Sequence, residues 1–193
     1  SRLRITIQVW EEKKVCALPA TETVGESSHK VGSVNVNVRG QQLIFDCGRT
    51  YFIVDQRLDK MLAIARDLVS GGSSVLCISR FHPDLVNETW SERGMESIWL
   101  SERPGTRNVP PGQLSRLTQN AVAFTKNNPN CVILLDGIEY LSLFNDFQRL
   151  QMFIEQMNDI VMESRAILVI AVDPRLFDPR SLARLQRFAE IVS

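Results

Sequence analysis

Residues 131–141 read CVILLDGIEYL, and this stretch decides the fold. Val132, Ile133, Leu134 and Leu135 form an apolar run without alternation, closed by Asp136 and Gly137. A strand that shows water neither face is what a parallel sheet covered by helices on both sides requires. Asp136 then falls at the strand's carboxyl end, the edge where open α/β sheets place their ligands. Phosphate-handling enzymes often keep a magnesium-binding aspartate there, so the other parts of such a site must be sought.

Outward from this strand the chain alternates strand and helix. Downstream, Leu143, Phe147, Leu150, Ile154, Met157 and Val161 recur at spacings of four and three, widened by Phe144 and Phe153. That spacing predicts one buried helix over 143–162. A second long apolar strand follows at 166–172 and ends in Asp173-Pro174. Asp178 is placed to cap a last helix, with Pro179 first in it and Phe177 able to staple to Leu182. An edge strand at 190–192 closes the chain. Upstream, a strand at 50–54 leads to Asp55, expected to cap a helix with Leu58, Met61, Leu62, Ala65, Leu68 and Val69 inward and Gly71-Gly72 at its end. Strands follow at 75–79 and 97–100, a short helix from Pro83 to Trp90, and a helix carrying Leu114, Leu117, Ala121 and Phe124. The class is α/β, a three-layer, mostly parallel sheet.

The first 46 residues read differently. Residues 3–10 alternate as a half-buried strand, 14–18 suggest another, and 19–32 are a polar loop. Val34, Val36 and Val38 alternate with polar residues up to Gly40, and 43–45 return, which predicts a hairpin with a three- or four-residue turn. Residues 1–46 are thus a β-rich extension, too small to fold alone, expected to pack on or extend the sheet of an α/β domain over 47–193.

Lys and Arg number 22 and Asp and Glu 22, for a net charge of zero across 193 residues. A nucleic-acid binder or an anionic-membrane binder would carry a basic excess, so neither partner is expected. Four scattered cysteines with no CxxC pair argue against disulfides and zinc, and point to a reducing, cytoplasmic setting. No run reaches the roughly 18 apolar residues of a membrane span. The chain opens SRLR without methionine, as the cytoplasmic part of a longer or membrane-tethered protein would.

Several blocks together resemble a known family: GRTYFIVDQ (48–56), SSVLCISRFHP (73–83), IWLSERPG (98–105), VILLDGIEYL (132–141) with Asn145 and Phe147 behind it, and VDP at 172–174. They look like the archaeal domain of unknown function 835, over roughly 46–190. The resemblance implies an archaeal protein, at times joined to sensory or membrane segments and so to signal transduction, and implies no established activity. More distantly, the order of elements resembles a RecA/KaiC-like ATPase core. Where that core has its phosphate loop, GxxxxGK[ST], this chain has Asp55-Gln56-Arg57-Leu58-Asp59-Lys60-Met61. The loop needs glycines so that backbone N–H groups can turn inward, and a hydroxyl to hold magnesium. Here no glycine is present, two aspartates repel phosphate, and Met61 stands at the hydroxyl position; only Lys60 fits. The chain reads as a degenerate phosphate-loop fold, and ATP hydrolysis is not expected.

The candidate ligand or metal edge is Asp55, Lys60, Arg80, Asp136, Glu139 and Asp173. Three of these carboxylates follow strands and could hold a divalent ion, yet each also has an ordinary role as a cap, turn or pre-proline residue. Glu139 is expected to pair with Arg80, Arg103 or Lys60, a contact worth about 0–1 kcal/mol if exposed. Arg80 could bind an anion. Ser79 and His82 lack a third member for a triad, and two histidines cannot build a His-rich metal site. Trp90, Trp99 and Phe81 are expected to pack rather than stack bases. The first reading is therefore a non-catalytic regulatory or interaction module with no cofactor and with a protein partner or self-association. The second is a nucleotide- or phosphate-binding domain using magnesium with nucleotide for phosphotransfer. A receiver-like phosphoacceptor at Asp136 comes third, because it lacks the paired acids and the late lysine.

Overall fold

The computed structural model describes residues 32–55, 59–84 and 95–192. The strands expected at 3–10 and 14–18, most of the polar loop, and the helix beyond residue 84 lie outside the described residues.

The two long apolar runs form adjacent parallel strands, β7 (Val132–Leu135) and β8 (Ile167–Val172), and every residue of both is buried. Five more strands complete the sheet: β3 (Arg49–Val54), β4 (Val75–Ser79), β5 (Met95–Leu100), β6 (Asn108–Val109) and β9 (Glu190–Val192). The order is β6-β5-β4-β7-β8-β3-β9, with every pair parallel. Arg49 of β3 pairs with Glu190 of β9, tying the last strand to the sheet's edge.

Alternate residues of the strands feed two separate cores, as a period of two dictates. Ile133, Leu135, Leu168, Ile170 and Val172 pack with helices α2 (Leu114–Asn127), α4 (Phe147–Ser164) and α5 (Pro179–Leu185). Val132, Leu134, Ile167, Val169 and Ala171 pack with helix α1 (Asp59–Ser70) on the other face. Helix α1 buries Met61, Ile64, Ala65, Leu68 and Val69 at three- and four-residue spacing. It stops where Gly72 takes φ +83°, with Ser73 N–H donating to Leu68 O and Gly72 N–H to Val69 O, a Schellman cap.

Two expectations are corrected. The helix predicted over 143–162 begins only at Phe147, as α4, because Asp146 caps it by accepting from Arg149 N–H at 2.8 Å; a separate short helix, α3 (Ile138–Ser142), precedes the break. Leu143 and Phe144 lie in the break and are 77% and 45% exposed, outside the core stripe that Leu143 was expected to begin and Phe144 to widen. The hairpin, β1 (Ser33–Val38) with β2 (Gln41–Asp46), turns in two residues rather than three or four. Arg39 and Gly40 both have positive φ, 52° and 84°, the conformation of the tight turn that matches strand twist.

The hairpin remains a separate two-stranded sheet. Its buried side, Val36, Val38, Leu43 and Phe45, joins the apolar cluster of α1 and the sheet. Phe45 meets Tyr51 edge to face at 4.9 Å, and Asn37 N–H donates to Asp67 Oδ2 of α1 at 2.8 Å. Because that cluster is continuous, hairpin and sheet should melt together. Phe45→Ala is expected to cost about 3–5 kcal/mol in urea unfolding and to keep a single transition; an early, separate hairpin transition would contradict this.

Candidate functional site

The strand order places four carboxyl ends in a row: β4, β7, β8 and β3. The residues that follow them are Arg80, Asp136, Asp173 and Asp55. Asp136 N–H still donates to Ile78 O, and Asp55 N–H to Val172 O, so the ladder holds both backbones in the sheet plane. The helix after β3 packs on one face and the helix after β8 on the other. The sheet therefore has a topological switch between Asp173 and Asp55, where such folds open a crevice.

Asp136 is buried, 5% exposed, and accepts a hydrogen bond from Ser79 Oγ at 2.9 Å. The same hydroxyl accepts from Phe81 N–H at 3.0 Å, so Ser79 is used in both directions. Burial pushes the Asp136 carboxyl up to about 6; Ser79 and the Arg80 charge pull it down, and Glu139 and Asp55 push it further up. Gly137 follows at φ +102°, and a Cβ there would meet Leu100 Cδ1 at 3.3 Å. Only glycine lets β7 turn into α3 beside Asp136.

That turn sets Glu139 in the first turn of α3, where its Oε1 accepts from Asp173 N–H at 2.6 Å. Burial raises the Glu139 pKa, and this hydrogen bond opposes the rise. The expected ion pair with Arg80, Arg103 or Lys60 does not form: no cation lies within ion-pair distance of Glu139 among the described residues. The nearer donor is a strand-end N–H with no ladder partner, and it takes the carboxylate. Asp173 in turn is held by Arg175, whose Nε and Nη2 donate to its two oxygens at 2.9 and 2.6 Å and whose N–H donates to Oδ1. The guanidinium keeps the Asp173 carboxyl below its ordinary range.

Asp55 caps as expected but from a distance: its Oδ2 accepts from Met61 N–H at 2.9 Å, while α1 starts four residues after it. Lys60 sits half-buried in the first turn of α1 and makes no side-chain hydrogen bond or ion pair among the described residues. Arg80 is exposed, 5.8 Å from the Phe81 ring, and its carbonyl accepts from Trp99 Nε1. The fold thus brings Asp136, Glu139 and Asp173 to one edge, with Asp55 near enough to act on Asp136. Arg80 is felt through charge alone. Among the described residues no group of three or more His, Cys, Asp or Glu side chains is arranged to hold a metal ion. At the start of α1, the Met61 N–H that an anion there would meet is taken by the Asp55 carboxylate.

Sequence reasoning missed three partners: Ser79 for Asp136, Arg175 for Asp173, and Asn145, which is buried and donates to Pro111 O and Leu141 O. The Asp-Pro-Arg sequence could have signalled the second, because a turn aspartate bonds the backbone two residues on and so brings that residue's side chain close. Nothing in the sequence signals the first, which depends on β4 lying beside β7.

The class defined so far is a three-layer parallel α/β domain with an acidic carboxyl edge and no phosphate loop. The chain belongs to the family described as protein of unknown function (DUF835), whose family model matches residues 54–188. No curated protein matches the chain. Among solved structures it is similar to a KaiC-like protein from the hyperthermophilic archaeon Pyrococcus horikoshii OT3, at 14% identity and a TM-score of 0.49. That likeness covers 66% of this chain and 64% of the other. No helix among the described residues is long and apolar enough to cross a membrane.

The Asp136 environment gives a signed pH dependence. Its folded pKa is above the unfolded one, so its contribution to stability is full below about pH 4 and is lost as pH rises through about 6. Asp136→Asn keeps an oxygen for Ser79 and removes the charge. It should be more stable than the parent at pH 7.5 by about 1–3 kcal/mol and level with it near pH 4. Urea midpoints at both pH values check this; a difference independent of pH would refute the buried-acid assignment.

Proposed function

We propose that this domain is a non-catalytic regulatory or protein-interaction module, of the kind a cytoplasmic signal-transduction protein carries. The observation that carries the reading is the Asp55 carboxylate on Met61 N–H. A helix start binds phosphate through its free N–H groups and dipole. Here an internal carboxylate takes that role at Met61 N–H. Lys60 alone supplies a point charge without a cradle.

Two surfaces support the interaction half of the reading. No third strand pairs with β1 or β2 among the described residues, and although Asn37 N–H and Asp46 N–H are held by Asp67 and Tyr51, such a hairpin can take another strand from a partner or a second copy. Leu143, Phe144 and Leu176 carry exposed apolar surface on the segments that the Glu139–Asp173 bond joins.

The competing reading is a nucleotide- or phosphate-binding domain with magnesium at Asp136, Glu139 and Asp173. In its favour stands the shifted acid at a strand carboxyl end, a common mark of functional sites. Against it, Glu139 and Asp173 already have partners. Thermal melts with magnesium and millimolar ATP, ADP, GTP or inorganic phosphate separate the two. The module reading expects no change in Tm. A ligand at about 100 times its Kd would add roughly 2.7 kcal/mol, and a reproducible rise in Tm of that origin would overturn it. Light scattering across a concentration series tests association; a strict monomer that recovers no partner counts against the module.

A further inference from the structure

Helices α4 and α5 pack beside each other on one face of the sheet, and their outer sides carry opposite charge. On α4, Glu155, Asp159 and Glu163 recur every four residues, which sets them on one side of the helix. On α5 and the turn that follows it, Arg180, Arg184 and Arg187 recur at spacings of four and three. Glu155 is half-buried and the other five are exposed. Among the described residues none of the six is in an ion pair. Asp178, the acid beside the basic stripe, is occupied as the cap of α5, accepting from Arg180 and Ser181 N–H. Arg149, the one base on α4, stands in its first turn and does not line the seam between the helices.

That seam is an open trough of about 440 Å³, lined in part by Phe147, Met152, Glu155 and Arg184. Glu155 and Arg184 both line it yet stay beyond ion-pair distance. Each is instead steadied locally: Gln151 Nε2 donates to Glu155 Oε1 at 3.1 Å, and the Arg184 guanidinium lies 5.0 Å from the centre of the Phe147 ring. Met152 and Met162 add apolar surface on the outer side of α4, 50% and 60% exposed. Solvated helix faces commonly mix the two signs of charge, whereas here the signs are sorted onto neighbouring helices. Methionine and arginine are also enriched where proteins meet. A surface with one acidic and one basic half is complementary to itself. A two-fold axis along the trough lays the acidic half of one copy on the basic half of the other, and the reverse, as an isologous interface requires. Zero net charge adds no overall repulsion between copies. A partner of one sign, or an anionic membrane, would satisfy one stripe and repel the other.

We propose that α4 and α5 form a two-fold interface between two copies of this chain. Arg180, Arg184 and Arg187 of one copy meet Glu155, Asp159 and Glu163 of the other, and Met152 lies near the axis. The proposal rests on the interaction half of the preceding reading and names the partner and the surface. It uses none of the carboxyl-edge residues, so nucleotide binding at Asp136 would leave it intact.

The test is sedimentation equilibrium of the full chain from about 10 μM to 1 mM, with two charge-reversed double variants. One carries Arg180→Glu with Arg184→Glu, the other Asp159→Arg with Glu163→Arg. All four positions are exposed, so Tm should stay nearly unchanged and lost association is not lost folding. The parent is expected to dimerise, less tightly as salt screens the charges. Each variant alone should dimerise at least about tenfold more weakly. An equimolar mixture of the two should recover a heterodimer, because both contacts then join opposite charges again. A dimer that both variants keep, or a mixture that recovers none, would overturn this interface while leaving the module reading in place. A parent that stays monomeric to about 1 mM would overturn it as well, and the module reading falls with it only if no other partner is recovered.

Discussion

Everything in this fold follows from sealing β7 and β8 on both faces. All ten strand positions, four in β7 and six in β8, are buried. Their side chains cannot reach water, and their backbone groups are satisfied only by neighbouring strands. Burying a Val, Leu or Ile side chain is worth about 1.5–3 kcal/mol, so these strands supply much of the drive for helices to cover both faces. The same sealing forbids polar chemistry anywhere along them. It leaves only the strand ends, where Asp136 and Asp173 stand.

At those ends the physics favours closure over reactivity. Each carboxylate has a donor of its own: Ser79 for Asp136, Asp173 N–H for Glu139, Arg175 for Asp173 and Met61 N–H for Asp55. A divalent ion would have to break several of these bonds to gather its ligands. Charges explain why the partners are mostly neutral backbone or hydroxyl groups. Burial raises the cost of keeping Asp136 and Glu139 ionised; the Arg80 charge opposes it, and for Asp136 the nearby Glu139 and Asp55 add to it. Asp136, the most enclosed of them, shows the cost as a raised pKa.

The sequence made the layered plan legible where each signal was local. Unbroken apolar runs announced β7 and β8, and Asp178 with Pro179 announced α5, since its carboxylate accepts from Arg180 and Ser181 N–H. Signals that depend on a neighbour in space were hidden. Leu143 continues the four-and-three spacing into Phe147, so periodicity runs through a break that only the Asp146 cap marks. The two-residue hairpin turn was masked because Arg39, not a usual turn residue, adopts positive φ beside Gly40. The partners at the carboxyl edge require the strand order, which crossover connections leave open. Glu139 shows the consequence: charge alone suggested an arginine, whereas the register of α3 over β8 delivered a backbone N–H.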